Sequence, residues 1–256
     1  MSQYGMVIDL QKCVGCGACG IACKTENNTS DRANGQTHNW ADFIYSMEGS
    51  YPAVDYAAIP VLCNHCSEAA CVEVCPVEPK AMFKTEDGIT MHNDERCIGC
   101  QACQKACPYS ATNVDDEKAA YSVISFNESA EDLYRPYKDT TELVAGGTAS
   151  GAEIAERVGQ VPPYRTLYDH PDYESVRRGG ITEKCTFCDH RVKQGELPYC
   201  VVSCPSSARV FGDLSDENSE PRKLLKKHGH FRLKEEAGTE PNVFYIRSFK
   251  AKNRAG

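Results

Sequence analysis

The chain has 256 residues, 41% hydrophobic and 25% charged, with a formal net charge of −8, which is room for one large domain or two small ones. This balance excludes the basic footprint of a protein that grips nucleic acid or an anionic membrane surface, and favours a protein partner. No stretch approaches the roughly 20 apolar residues that span a bilayer, and residues 1–10 lack the basic, apolar and cleavage regions of an export signal.

A strand over residues 5–9 leads into the first of four groups of cysteines, Cys13, Cys16, Cys19 and Cys23, spaced C-x2-C-x2-C-x3-C. After 39 residues comes the second, Cys63, Cys66, Cys71 and Cys75, spaced C-x2-C-x4-C-x3-C and followed by Pro76. Strands at 81–84 and 88–92 precede the third group, Cys97, Cys100, Cys103 and Cys107, which with Pro108 forms a full C-x2-C-x2-C-x3-C-P run. A strand at 121–126, rich in β-branched and aromatic residues, opens a 77-residue connection. Its polar part, 127–178, holds Gly146-Gly147, Pro162-Pro163 and one short helix at 152–158; such a segment suits a partner's surface better than a domain of its own. The fourth group is Cys185, Cys188, Cys200 and Cys204 with Pro205, spaced C-x2-C-x11-C-x3-C-P. Strands at 208–211 and 242–247 flank a helix over 219–227, with Pro221 in its first turn and Lys226 and Lys227 at a solvated end.

The groups use all sixteen cysteines. A tight C-x2-C-x2-C loop lets three thiolates reach three corners of one cubane, and in two-cluster bacterial ferredoxins the last cysteine of the other motif supplies the fourth corner. Gly15, Gly17 and Gly99 let the backbone wrap closely and turn N–H groups toward inorganic sulfide. Disulfides and structural all-cysteine zinc sites are the competing uses of so many thiols, and a zinc protein with four such sites stands as the alternative of another class. With cubanes, each unit reads as a strand, a cluster loop and a short helix. The fold class is then α+β: two ferredoxin-like [4Fe–4S] lobes built from four half-modules, with a long insertion.

The order of these groups, the form of the fourth, and two phrases beside them, VIDLQKCVGC at 7–16 with CKTENN at 23–28 and EKCTFCDHR at 183–191, resemble one family. It is the four-cluster iron–sulfur subunits of the dimethyl sulfoxide reductase superfamily of molybdopterin oxidoreductases, and the phrases look most like its arsenate-reductase branch, beside the polysulfide and tetrathionate reductase small subunits. The resemblance implies that groups one and four share a lobe (1–55 with 180–215) and groups two and three another (56–120), with 121–179 as a partner-contacting insertion and 216–256 as a helix and strand extension. It also implies crossed ligand sets: Cys13, Cys16, Cys19 and Cys204 for cluster a; Cys185, Cys188, Cys200 and Cys23 for cluster b; Cys63, Cys66, Cys71 and Cys107 for cluster c; Cys97, Cys100, Cys103 and Cys75 for cluster d. Lys24 stands where a ferredoxin-like first group has proline.

The implied function is single-electron relay, with no bond chemistry on this chain. The implied partners are a catalytic subunit holding the molybdopterin and a quinone-binding membrane subunit or cytochrome; a free-standing polyferredoxin is the alternative. The expected location is periplasmic, reached by export in the folded state with a signal-bearing partner, with the cytoplasm as the alternative. Beside the ligands, His65 and His190 read as hydrogen-bonding or packing residues and Trp40 and Tyr109 as packing that excludes water. Lys184 and Arg191 read as charges that raise the fourth group's potential, or as surface salt-bridge partners.

Overall fold

The computed structural model describes residues 2–27, 29, 39–110, 121–127, 139–142, 144–159 and 179–247. Most of the polar connection, Pro162-Pro163 included, lies outside the described residues. In chain order the first half holds β1 (Tyr4–Asp9), α1 (Ala18–Asn27), β2 (Ala41–Ser50), β3 (Ala53–Leu62), α2 (Ala70–Glu73), β4 (Met82–Lys84), β5 (Thr90–His92) and α3 (Ala102–Ala106). The second half adds β6 (Ser125–Asn127), α4 (Gly151–Val158), β7 (Ile181–Glu183), α5 (Asp189–Val192), α6 (Tyr199–Val202), β8 (Arg209–Asp213), α7 (Glu220–Lys227), β9 (His230–Phe231) and β10 (Val243–Ile246). The fold is mixed α+β with small sheets.

β1 is the central element. Met6, Val7 and Ile8 are all fully buried, a continuous apolar run of the kind that marks a strand covered on both faces. It pairs antiparallel with β8 and parallel with β10, in register from Met6↔Val243 to Asp9↔Ile246, and β9 completes the order β8-β1-β10-β9. The expected extension at 216–256 is thus partly core: Tyr245 is fully buried and its hydroxyl donates to the Pro60 carbonyl at 2.9 Å. β4 pairs with β5 and β6 with β7, both antiparallel. The last pairing brings the segment after group three alongside the one that precedes group four.

The hairpin β2–β3 was not foreseen. Its strands pair over their full length, from Ala41↔Leu62 to Ser50↔Ala53. Ala41, Phe43, Val61 and Leu62 bury its base, while Tyr45, Met47 and Tyr56 stand exposed along the outer half. The boundary drawn at 55/56 falls inside β3. The two helices expected from the sequence are present. Ser150 and Glu153 form a capping box on α4, and Ser219 caps α7 by accepting from the Arg222 N–H.

Candidate metal centres

Each cysteine group sits on a turn followed by a short helix. In group one the Gly20 and Ile21 N–H groups both reach the Gly17 carbonyl, opening α1 so that Cys19 and Cys23, four residues apart, share a face. Gly99 has φ +70°, and a Cβ there would lie 2.2 Å from the Gly180 carbonyl oxygen; only glycine lets the group-three loop lie against the chain entering β7. The helices then pack in pairs, α1 on α6 and α2 on α3. All sixteen cysteines are free thiols.

A small cavity is lined by Cys63, Cys66, Cys71 and Cys107 together with Thr90, Val123, Ile124 and Thr239. Burial pushes the Cys66 and Cys107 thiols up to about 11, and Cys71 further. A second small cavity is lined by Cys75, Cys97, Cys100 and Cys103 with His92 and Thr182. Here Thr182 Oγ1 lies 3.4 Å from Cys103 Sγ and 3.9 Å from Cys97 Sγ. Burial takes Cys103 to about 11, but at Cys97 it is outweighed by the hydrogen bond and charge of His92, which bring that thiol down to about 6. His92 is itself held up at about 9: burial opposes its charge, and the bond to Asp94 at 2.9 Å more than compensates. In both cavities three thiols come from one group and the fourth from the other.

Groups one and four meet in the same manner. Burial raises Cys23 far above an ordinary thiol, and the charges that add to this are those of Cys188, Cys185 and Cys200. The Asn27 amide donates to Cys23 Sγ at 3.4 Å and to Cys188 Sγ at 3.9 Å, so one side chain touches thiols of both groups. Burial also raises Cys13, with Cys19 and Cys204 adding to it against the Gly15 N–H and Arg209. Cys204 is instead lowered: burial would raise it, but the Ala208 N–H, at 3.2 Å from its sulfur, and further donors prevail.

Desolvated thiols lining closed spaces, with N–H, hydroxyl and amide donors turned toward sulfur, fit thiolates that have lost their protons to iron. Among the described residues no three His, Cys, Asp or Glu side chains stand close enough to hold a single metal ion. Three neighbouring pairs link the sites in a row: Cys200 feels Cys19, Cys185 feels Cys63, and Cys71 feels Cys103. Cys16, of group one, and Cys100, of group three, are the exposed thiols.

The flanking residues separate into types. His65 is fully buried, accepts the Thr90 N–H at Nδ1 and stacks on Phe187 with ring centroids 3.6 Å apart. His190 binds Glu26 at 2.8 Å, and Arg191 pairs with Glu26 and Glu196. Trp40 and Tyr109 are buried, and the Tyr109 hydroxyl meets Thr239 at 3.0 Å. Lys184 corrects the surface reading: it is 1% exposed and donates to the Thr90 and Cys185 carbonyls. Asn27, Thr182 and the buried Arg209 were missed. Asn27 had a signal, being four residues after Cys23 on a helix, whereas Thr182 and Arg209 reach their sulfurs through strand placement.

A family model described as a 4Fe-4S dicluster domain matches residues 54–127 and 128–214. The chain is 48% identical over 251 residues to the arsenate respiratory reductase iron–sulfur subunit of Shewanella sp. strain ANA-3, covering 98% of each chain. It is 32% identical to the B component of the tetrathionate reductase of Salmonella typhimurium (95% of this chain, 72% of the relative). With the B component of the polysulfide reductase of Wolinella succinogenes it shares 30% identity (95% of this chain, 94% of the relative). These matches favour neither the zinc reading nor the free-standing polyferredoxin.

Proposed function

The protein belongs to the 4Fe-4S dicluster iron–sulfur subunits of respiratory reductases in the dimethyl sulfoxide reductase family, and from that premise we propose that it relays electrons between a molybdopterin-bearing catalytic subunit and a quinone-binding membrane subunit or cytochrome. It is an electron-transfer subunit carrying [4Fe–4S] clusters, and the full-length 48% identity supports a complex of the arsenate respiratory reductase type. The clusters supply one-electron chemistry when bound. Cluster a is assigned to Cys13, Cys16, Cys19 and Cys204; cluster b to Cys185, Cys188, Cys200 and Cys23; cluster c to Cys63, Cys66, Cys71 and Cys107; cluster d to Cys97, Cys100, Cys103 and Cys75.

The observation that carries this reading is the pair of cavities, each lined by three thiols of one group and the fourth of another. The protein's own work is positional. Buried Met82, Ile89, Met91 and Ile124 form part of the apolar core around the thiols, and Asn27, Thr182 and Thr239 direct donors or hydroxyls at sulfur. With Cys16 and Cys100 exposed beside the solvent-facing Val14 and Ile98, the two ends of the row are the docking ends for the two partners. Non-catalytic standing and a periplasmic location, reached in company with a signal-bearing partner, belong to the same proposal; no described helix is long and apolar enough to cross a membrane.

Anaerobic purification from the native host tests it. A large molybdopterin subunit should accompany the chain, with about sixteen iron atoms per chain for four cubanes, and fractionation should find both on the periplasmic side. Recovery of the chain alone, cluster-loaded and competent as a free carrier, would overturn the assignment.

A further inference from the structure

Lys184 is among the largest fully buried side chains of the protein, and among the described residues it forms no ion pair. A buried ammonium without a carboxylate is costly unless another negative group compensates it. Its two fixed partners are the carbonyls of Thr90 and Cys185. Thr90 lines the cavity of Cys63, Cys66, Cys71 and Cys107, and Cys185 belongs to the neighbouring set. The ammonium is thus anchored from both sides of one boundary. The stack of His65 on Phe187 crosses the same boundary.

We infer that Lys184 is a shared counter-charge for the two inner clusters, b and c, raising both reduction potentials together and leaving the outer clusters a and d unaffected. The physical reason is that adding an electron makes each cluster more negative, and a fixed cation in a poorly screened interior stabilises that form. With its ammonium held by two backbone carbonyls, Lys184 is a positioning residue that acts through its field. Raising b and c together leaves the driving force between them unchanged and makes both better electron acceptors relative to a and d.

The inference rests on the ligand sets proposed above, and the test separates the two. Lys184→Gln keeps an amide donor for the carbonyls and removes the charge; Lys184→Arg keeps the charge. The complex carrying each variant is titrated electrochemically and followed by electron paramagnetic resonance, with signals assigned by their loss in Cys16→Ser, Cys200→Ser, Cys66→Ser and Cys100→Ser chains. In the Gln variant the b and c reduction equilibria should each fall about tenfold, equivalent to about 59 mV for one electron, while a and d stay in place; the Arg variant should follow the parent at all four. Unmoved b and c, movement of one alone, or an equal fall at all four would overturn the inference, and so would loss of clusters from the Gln variant, because a purely structural role predicts that. If Cys23→Ser, Cys75→Ser, Cys107→Ser and Cys204→Ser chains do not lose the signals of b, d, c and a respectively, the ligand assignment fails instead.

Discussion

Replacing Asn27 with leucine removes one amide that serves two sulfurs and leaves a side chain of similar branched shape, though larger, in a buried place. The donor lies 3.4 Å from Cys23 Sγ and 3.9 Å from Cys188 Sγ, so the shorter contact carries most of the effect. A hydrogen bond to a charged group contributes about 1.5–3 kcal/mol net, and one electron shared over a whole cluster changes the charge on a given sulfur by only a fraction. Taking the redox-dependent part as about 1 kcal/mol, and about 1.4 kcal/mol or 59 mV per tenfold change, cluster b should fall by about 40 mV. Redox titration followed by electron paramagnetic resonance reads the shift. The moving signal should be the one abolished by Cys200→Ser. If it is instead the one abolished by Cys16→Ser, then Cys23 ligates with its own group and crossed ligation is wrong; if none moves, the amide does not tune the sulfurs.

Cys204→Ser should damage the cluster held by Cys13 and leave both clusters of the Cys63 and Cys97 sets intact, as counted by iron content and signal loss; damage in the Cys63 set would contradict the pairing. Thr182→Val deletes the hydroxyl at 3.4 Å from Cys103 in a nearly isosteric side chain, and should lower cluster d by roughly 40 mV on the same reasoning, with b unmoved. Tyr245→Phe leaves the Pro60 carbonyl without its buried donor. It should cost about 1–2 kcal/mol in a denaturant titration while all potentials stay where they are, and a stability change below a few tenths would show that water replaces the hydroxyl.

Much of the site was legible because cubane ligation needs closely spaced thiols, and such spacing is local. The helices at 152–158 and 219–227 were readable for the same reason: what starts and ends them is local. What escaped was non-local or uncovered. The outer half of β2–β3 faces solvent on Tyr45, Met47 and Tyr56, so no polar–apolar alternation announced a hairpin. β10 looked like a tail because its partner Met6 precedes it by more than two hundred residues. Lys184, inside the charged phrase EKCTFCDHR, reads equally as a charge beside the fourth group or as a surface salt-bridge partner, and its bond to Thr90, 94 residues earlier, shows that it is buried.

β1 lies between β8 and β10, which has a consequence for the order of assembly. Its residues are made about two hundred or more residues ahead of both neighbours. At roughly 5–20 residues per second the strand waits about 12–48 s for β10. The segment from Cys63 to Cys107 contains the thiols of sets c and d and can close on itself long before that, since short-range contacts form ahead of long-range ones. On the ligand sets proposed above, iron delivery has two openings in time: clusters c and d can be loaded on a growing chain, whereas a and b wait for residues 185–204. A chain arrested before residue 185 would carry half its wire and have no central sheet.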